Sequence, residues 1–256
     1  MRRAATSAMG DIRVLKRGSV GEIRLNRPDV LNALGPIWPR DMAAAINAVS
    51  DDPAVRVVLV TGEGRVFCSG VDLDSLAAGE IRSSWFRDSE AVIRALETLE
   101  KPVIAGVRGY CIGGGLQIAI ACAVRIAADD ATLGLPAARE AFIPGMATWR
   151  LARLIGMGTA RNLILSGQNV DAHEGYRIGL VNAVVPKNDL DMELERWVSK
   201  YLEVPASTLR WAKRLTNQAF DLPFESFVAE YDNAMEAVLA SPEHQEAMRA
   251  WRARKS

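Results

Sequence analysis

The sequence predicts an α/β body followed by a helical C-terminal section, and three observations carry that prediction. Short unbroken apolar runs, VRVVLVTG at 55–62 and PVIAGV at 102–107, alternate with segments of helical period. Runs of this kind are strands buried on both faces of a parallel sheet. From about residue 147 the helical period takes over almost entirely. Of the 256 residues, 49% are apolar, enough to build the core of one large domain.

Taken in chain order, MRRAATSAMG is basic and acid-free and lacks the apolar centre of a secretory signal, so residues 1–10 are expected as a flexible lead-in. IRVLKRG and VGEIRLN form a hairpin turning at Gly18-Ser19. PIWPRDMAAAINAVSDD has helical period and ends before Pro53. SSWFRDSEAVIRALETLEKP is an amphipathic helix closed by Pro102, and AVRIAADDATLG gives two short strands joined at Asp129-Asp130. DAHE at 171–174 has capping-box spacing, with Asp171 as N-cap and Glu174 reaching back. Four helical segments follow, beginning at residues 188, 206, 223 and 242. The chain divides into the lead at 1–10, a core at 11–186 and a helical section at 187–256.

Composition narrows the function classes. Lys plus Arg and Asp plus Glu balance at 31 each, so no basic field points to nucleic acid or a membrane surface. No apolar run reaches the roughly 18 residues of a membrane span. Cys68, Cys111 and Cys122 show neither a paired C-x-x-C spacing nor a disulfide framework, which suits a reducing, cytoplasmic compartment. The two histidines, His173 and His244, sit in polar helical stretches, which weakens any Ser-His-Asp triad. FCSGVD is not a G-x-S-x-G elbow and GYCIGGG is not a dinucleotide fingerprint, so no metal or cofactor is expected.

The glycines carry more. Gly113-Gly114-Gly115 follow the strand PVIAGV and open the apolar segment LQIAIACAV, while FCSGVDL follows the strand VRVVLVTG. Glycine lets a ligand approach the backbone, and free N–H groups at a helix start attract anionic oxygen. Two such turns after adjacent strands can aim two N–H groups at one oxygen, the geometry of an oxyanion hole. Tight strand-to-helix packing explains the same glycines equally well.

The set LNRPDVLNAL (25–34), VRVVLVTGEGRVFCSGVDL (55–73), KPVIAGVRGYCIGGGLQIAIAC (101–122), LGLP (133–136), IPG (143–145) and IGLVNAVVP (178–186) resembles the crotonase, or enoyl-CoA hydratase/isomerase, superfamily from about residue 11 to the end. The resemblance implies a spiral of ββα units with a C-terminal helical region that builds trimers or dimers of trimers. It implies a CoA-thioester ligand of fatty acid metabolism, with no separate cofactor. The two oxyanion donors carry over to the N–H groups of Val71 and Gly114. Ser69, Gly70, Asp72, Leu73 and Asp74 would take the adenine and pantetheine end, with Val30 and Leu31 along the same channel and Gly113 and Ala137 in the pocket. Arg254 or Lys255 would meet a CoA phosphate, the alternative being a solvated basic tail.

Departures from the pattern bear on chemistry. Where hydratases of this family carry two glutamates, the sequence has Gln117 and Ala137. Gly145 stands where some members carry an aspartate. An amide hydrogen-bonds a water but does not take its proton near neutral pH. Ordinary hydration is therefore expected to be weak or absent. Glu140 lies three residues beyond Ala137, and a helical turn there would put both on one face. The alternative is an exposed loop glutamate paired with Arg139 or a neighbour. Phe142, Met146 and Trp149 would shape an acyl pocket, although residues at this spacing are more often core. Two classes result: a thioester-enolate catalyst of lyase or isomerase type, or a non-catalytic acyl-CoA binder.

Overall fold

The computed structural model describes residues 5–254, with side chains from residue 10 onward. Lys255 therefore lies outside the described residues. The strands are β1 (Ala5–Met9), β2 (Ile12–Arg17), β3 (Val20–Leu25), β4 (Val57–Gly62), β5 (Val103–Val107), β6 (Tyr110–Ile112), β7 (Val124–Ala128), β8 (Thr132–Gly134), β9 (Asn169–Asp171) and β10 (Ala183–Val185). The helices are α1 (Trp38–Ser50), α2 (Leu73–Ala77), α3 (Ser83–Thr98), α4 (Gly114–Ala121), α5 (Ala147–Ile155), α6 (Met157–Ser166), α7 (Ala172–Arg177), α8 (Leu190–Leu202), α9 (Ala206–Gln218), α10 (Phe224–Leu239) and α11 (Pro242–Ala253).

Seven strands form one sheet in the order β1-β2-β3-β4-β5-β7-β10. The β1-β2-β3 edge is antiparallel and the remainder parallel. A second sheet pairs β6 with β8 in parallel and β8 with β9 antiparallel. Thus β5-β6-α4 and β7-β8 followed by helix repeat a two-strand, one-helix plan, with each short second strand stepping from the large sheet to the small one. The continuous apolar runs read from sequence are the central strands, and β5 and β7 are buried along their whole length.

Two layers cover the large sheet. On one face Ile23, Val58, Val60, Ala105 and Val107 meet α1, α3 and α4 through Trp38, Met42, Leu96 and Leu116. On the other face Val57, Leu59, Ile104 and Ile126 meet α8 through Leu190, Leu194 and Val198. The first C-terminal helix is thus a layer of the core. In contrast, α9 and α11 bury no residue and α10 buries only Ala234.

One element departs from expectation. Residues 5–9, expected within a flexible lead, pair with β2 in antiparallel register from Ala5↔Lys16 to Met9↔Ile12. The physical reason is that β2 would otherwise end the sheet with a row of unpaired N–H and C=O groups, which an adjoining extended segment satisfies. Residues 1–4 lie outside the described residues. The DAHE cap is half formed: Asp171 Oδ1 accepts from the Glu174 N–H at 2.7 Å, but the Glu174 carboxylate turns forward to Arg177 at 2.6 Å. No helix among the described residues is long and apolar enough to cross a membrane.

Candidate active site

Two chain turns meet at the C-terminal ends of β4 and β5. After β4, Cys68 pairs in parallel through its backbone with Cys111 of β6: the Cys68 N–H donates to the Tyr110 carbonyl at 2.8 Å and the Ile112 N–H donates to the Cys68 carbonyl at 3.0 Å. The next turn is pinned on its other side by Leu34, whose N–H donates to the Gly70 carbonyl at 2.8 Å and whose carbonyl accepts from the Asp72 N–H at 3.1 Å. Val71, between these anchors, is left with its N–H facing away from Leu34. Among the described residues its N–H has no hydrogen-bond partner, and neither has the N–H of Gly114, the first residue of α4.

The glycines bring these two groups together. Gly113 has φ +55° and ψ −117°, a conformation closed to side chains with a Cβ, and it turns β6 directly into α4. A methyl placed on Gly70 would stand 3.5 Å from the Gly114 nitrogen and 3.1 Å from the Ile112 carbonyl oxygen, so the turn and the helix start are already in contact. Gly115 answers to the packing alternative: a Cβ there would lie 2.5 Å from the Cys68 carbonyl oxygen. The third glycine serves close approach, while the first two shape the turn.

The Val71 and Gly114 N–H groups belong to residues lining one cavity of about 780 Å³. Of the residues singled out from sequence, Ser69, Gly70, Val71, Leu73, Gly113, Gly114, Gln117, Ala137 and Glu140 line it. Val30, Leu31, Asp72 and Asp74 do not. Val30 is exposed, and Leu31 occupies the left-handed region at φ 56°. That loop is held by buried Asn32, whose Nδ2 donates to the carbonyls of Glu63, Val66 and Phe67. Asp72 is engaged as the N-cap of α2, accepting from the Ser75 N–H at 3.2 Å, and pairs with Arg27 at 2.9 Å. Burial pushes its carboxyl up, but the Ser75 N–H and the Arg27 guanidinium outweigh burial and hold its pKa below the ordinary carboxylate value.

Residues 136–140 form a 3-10 turn, in which positions three apart eclipse. Ala137 and Glu140 thus share the face toward the cavity. Glu140 is exposed, as the alternative reading had it, but Arg139 does not pair with it; the Arg139 Nε donates to the Ser166 carbonyl at 2.9 Å. Gln117 lies against the IPG segment, where a methyl on Gly145 would come within 2.8 Å of the Gln117 Oε1. A side chain at 145 and the long amide at 117 therefore compete for one space.

Phe142, Met146 and Trp149 are cavity lining and not core: Phe142 is 38% and Met146 41% exposed. The sequence reading missed the contribution of α3. Phe86, whose ring lies 5.0 Å from that of Phe142, faces the cavity with Ser89, Glu90 and Arg94. His173 is exposed, His244 is half-buried, and neither lines the cavity. The three cysteines are buried free thiols. No cluster of metal-ligating side chains occurs among the described residues.

Residues 16–256 match the family model described as enoyl-CoA hydratase/isomerase. The chain belongs to that family. As a family member it is 35% identical over 233 residues to a probable enoyl-CoA hydratase of Mycobacterium bovis, covering 91% of each chain. It is 34% identical over 240 residues to the short-chain-enoyl-CoA hydratase of Clostridium acetobutylicum, covering 92% of each. The crystal structure of an enoyl-CoA hydratase from Polaromonas superposes with a TM-score of 0.90 at 29% identity, covering 96% of this chain and 98% of that one. This family member therefore has the crotonase fold, its C-terminal helices included.

Proposed function

We propose that this family member binds an acyl-CoA thioester and stabilises its enolate with the N–H groups of Val71 and Gly114. The observation that carries the reading is the pair of unpartnered backbone donors on one cavity wall, one of them at a helix start whose dipole favours negative charge. As a proton leaves the substrate carbon, charge collects on the thioester oxygen, where fixed donors act without reorganising. The exposed end of the cavity, around Ser69 and Leu73, would take the pantetheine arm. The Asp72 carboxylate, already held by Ser75 and Arg27, supports the turn and does not act as a base. No additional cofactor enters the scheme.

Proton transfer falls to Glu140. Its carboxylate takes a proton from the α or γ carbon, the electrons move to the thioester oxygen, and the same proton returns to the other carbon. The net result is a shifted double bond, a step that needs one carboxylate. Hydration needs a water activated and a proton delivered, and Gln117 and Ala137 provide neither group. The same two residues favour a second reading, in which the chain binds acyl-CoA without turning it over.

Calorimetric titration with crotonyl-CoA and longer acyl-CoAs, followed by the enoyl absorbance at high protein concentration, separates these readings. Binding with isomerisation lost in Glu140→Gln supports the first, and binding without turnover supports the second. Robust hydration would overturn the account of Gln117 and Ala137, and turnover untouched by Glu140→Gln would remove the glutamate.

A further inference from the structure

The two donors of the oxyanion pair are backed differently. Each N–H shares a planar trans peptide with the carbonyl of the preceding residue, so the two groups point in opposite directions. A hydrogen bond received by that carbonyl therefore aims the N–H and draws electrons from it. Behind Gly114 stands α4, because the Gly113 carbonyl accepts from the Gln117 N–H at 3.1 Å. Val71 precedes the N-cap of α2 and belongs to no helix. Its N–H shares a peptide with the Gly70 carbonyl, which accepts from the Leu34 N–H at 2.8 Å. The Leu34 N–H in turn shares a peptide with the Ala33 carbonyl, and Arg27 Nη1 donates to that carbonyl at 2.7 Å. The order runs from guanidinium to peptide 33–34, to peptide 70–71, to the cavity.

A bond from an ionised donor is roughly twice as strong as a neutral one, and each bond in a chain strengthens the next by about 10–30%. Arg27 is held firmly enough to act this way. Nη1 also donates to Asp72 Oδ2 at 2.9 Å, and Nε lies 3.7 Å from Asp11 Oδ1. The Arg27 N–H donates to Asn32 Oδ1 at 2.9 Å, and the Arg27 carbonyl accepts from the Asn32 N–H at 2.8 Å. A methyl on Gly35 would stand 2.8 Å from Nη1, so a glycine there lets the guanidinium lie against the chain. The side chain is 26% exposed, and water screens it only in part. An ion pair that merely ties two loops together is the plainer reading of these contacts. Asp72 separates the two readings. Its charge offsets the guanidinium that faces Ala33, while its Oδ1 caps α2 by accepting from the Ser75 N–H at 3.2 Å. Asparagine keeps a cap and an acceptor but removes the charge. Polarisation along the peptides must then grow, whereas a tie between loops can only weaken.

We propose that Arg27 is a positioning residue that aims and polarises the Val71 donor through peptides 33–34 and 70–71. This role rests on the oxyanion reading above. The test is infrared difference spectroscopy of hexanoyl-CoA, labelled with carbon-13 at the thioester carbonyl and bound to the full chain. A saturated acyl chain has no double bond to shift, so the probe stays intact. The wild-type chain is expected to lower the carbonyl stretch relative to free ligand. Arg27→Met is expected to give back about a fifth of that displacement, and Asp72→Asn to increase it. Equal displacement in wild type and Arg27→Met overturns the proposal. A displacement that fails to grow in Asp72→Asn overturns the polarising role and leaves Arg27 as a tie between loops. If Arg27→Met loses its far-UV circular dichroism, the Asp72→Asn change alone decides. A wild-type chain that binds hexanoyl-CoA without lowering its stretch removes the oxyanion reading itself, and one that does not bind it removes the thioester reading. Both outcomes are read in the wild type and are distinct from failure of the Arg27 role.

Discussion

At Gly114 the group that matters is the backbone N–H, and proline tests it. Gly114 is the first residue of α4, a position where proline is well tolerated because its missing N–H has no helical partner. An added Cβ meets the end of the Leu34 side chain at 2.6 Å. Gly114→Pro is therefore expected to keep the helical circular dichroism while lowering turnover by about 10²–10³, the usual effect of removing one oxyanion donor. Unchanged turnover would end the assignment of that donor. The thiols provide a second residue-scale test. Burial pushes Cys68 and Cys122 up to about 12 and Cys111 well above its ordinary value. All three are thus expected to resist alkylation at neutral pH in the folded chain and to react in denaturant. Reaction of even one thiol before unfolding would contradict that burial.

Elements differ in how much of them the sequence displays. The central strands could be read because a strand buried on both faces needs an unbroken apolar run, as in VIAGV. The two glycine turns could be read because their residues are local to one stretch of chain. The contribution of α3 to the cavity could not, since the period that marks Trp85, Val92 and Leu96 as core is the period that carries Ser89 and Glu90. Which part of an apolar face meets a void is decided by α5, more than fifty residues later. Nor could β1 be foreseen, because its pairing depends on an edge left open by β2. The half-formed cap on α7 yields an element-scale prediction. Asp171→Ala removes the bond to the Glu174 N–H and is expected to cost about 1 kcal/mol in chemical unfolding. Glu174→Ala, which loses only an exposed pair with Arg177, is expected to cost far less. Equal losses would mean that the box closes in solution.

Lys213 links α9 to the body of the molecule. Its Nζ donates to the carbonyls of Leu99 at 2.6 Å and Lys101 at 3.0 Å, and burial lowers its pKa from 10.5 to about 8. Between those values the unfolded chain holds a proton that the folded chain has released. Stability relative to Lys213→Met is therefore expected to rise from about pH 8 to 10.5. A flat difference across that window would remove the burial of this amine. The same helices also raise the question of assembly. Along α9, α10 and α11 Ala234 is the one fully buried residue, and Phe220 at 73%, Phe224 at 75% and Leu239 at 50% exposure leave large apolar side chains in water. Monomeric proteins seldom leave such groups clustered. Further copies of the chain are expected to cover them with closed symmetry, and the family resemblance implies an order of three, or two sets of three. Light scattering is expected to give three or six times the 27.8 kDa chain mass. Phe224→Glu, which places a charge on that face, is expected to shift the population toward the single chain. A wild-type chain that scatters as one copy at micromolar concentration would show that α9 to α11 remain uncovered, and the apolar face would then need a different partner.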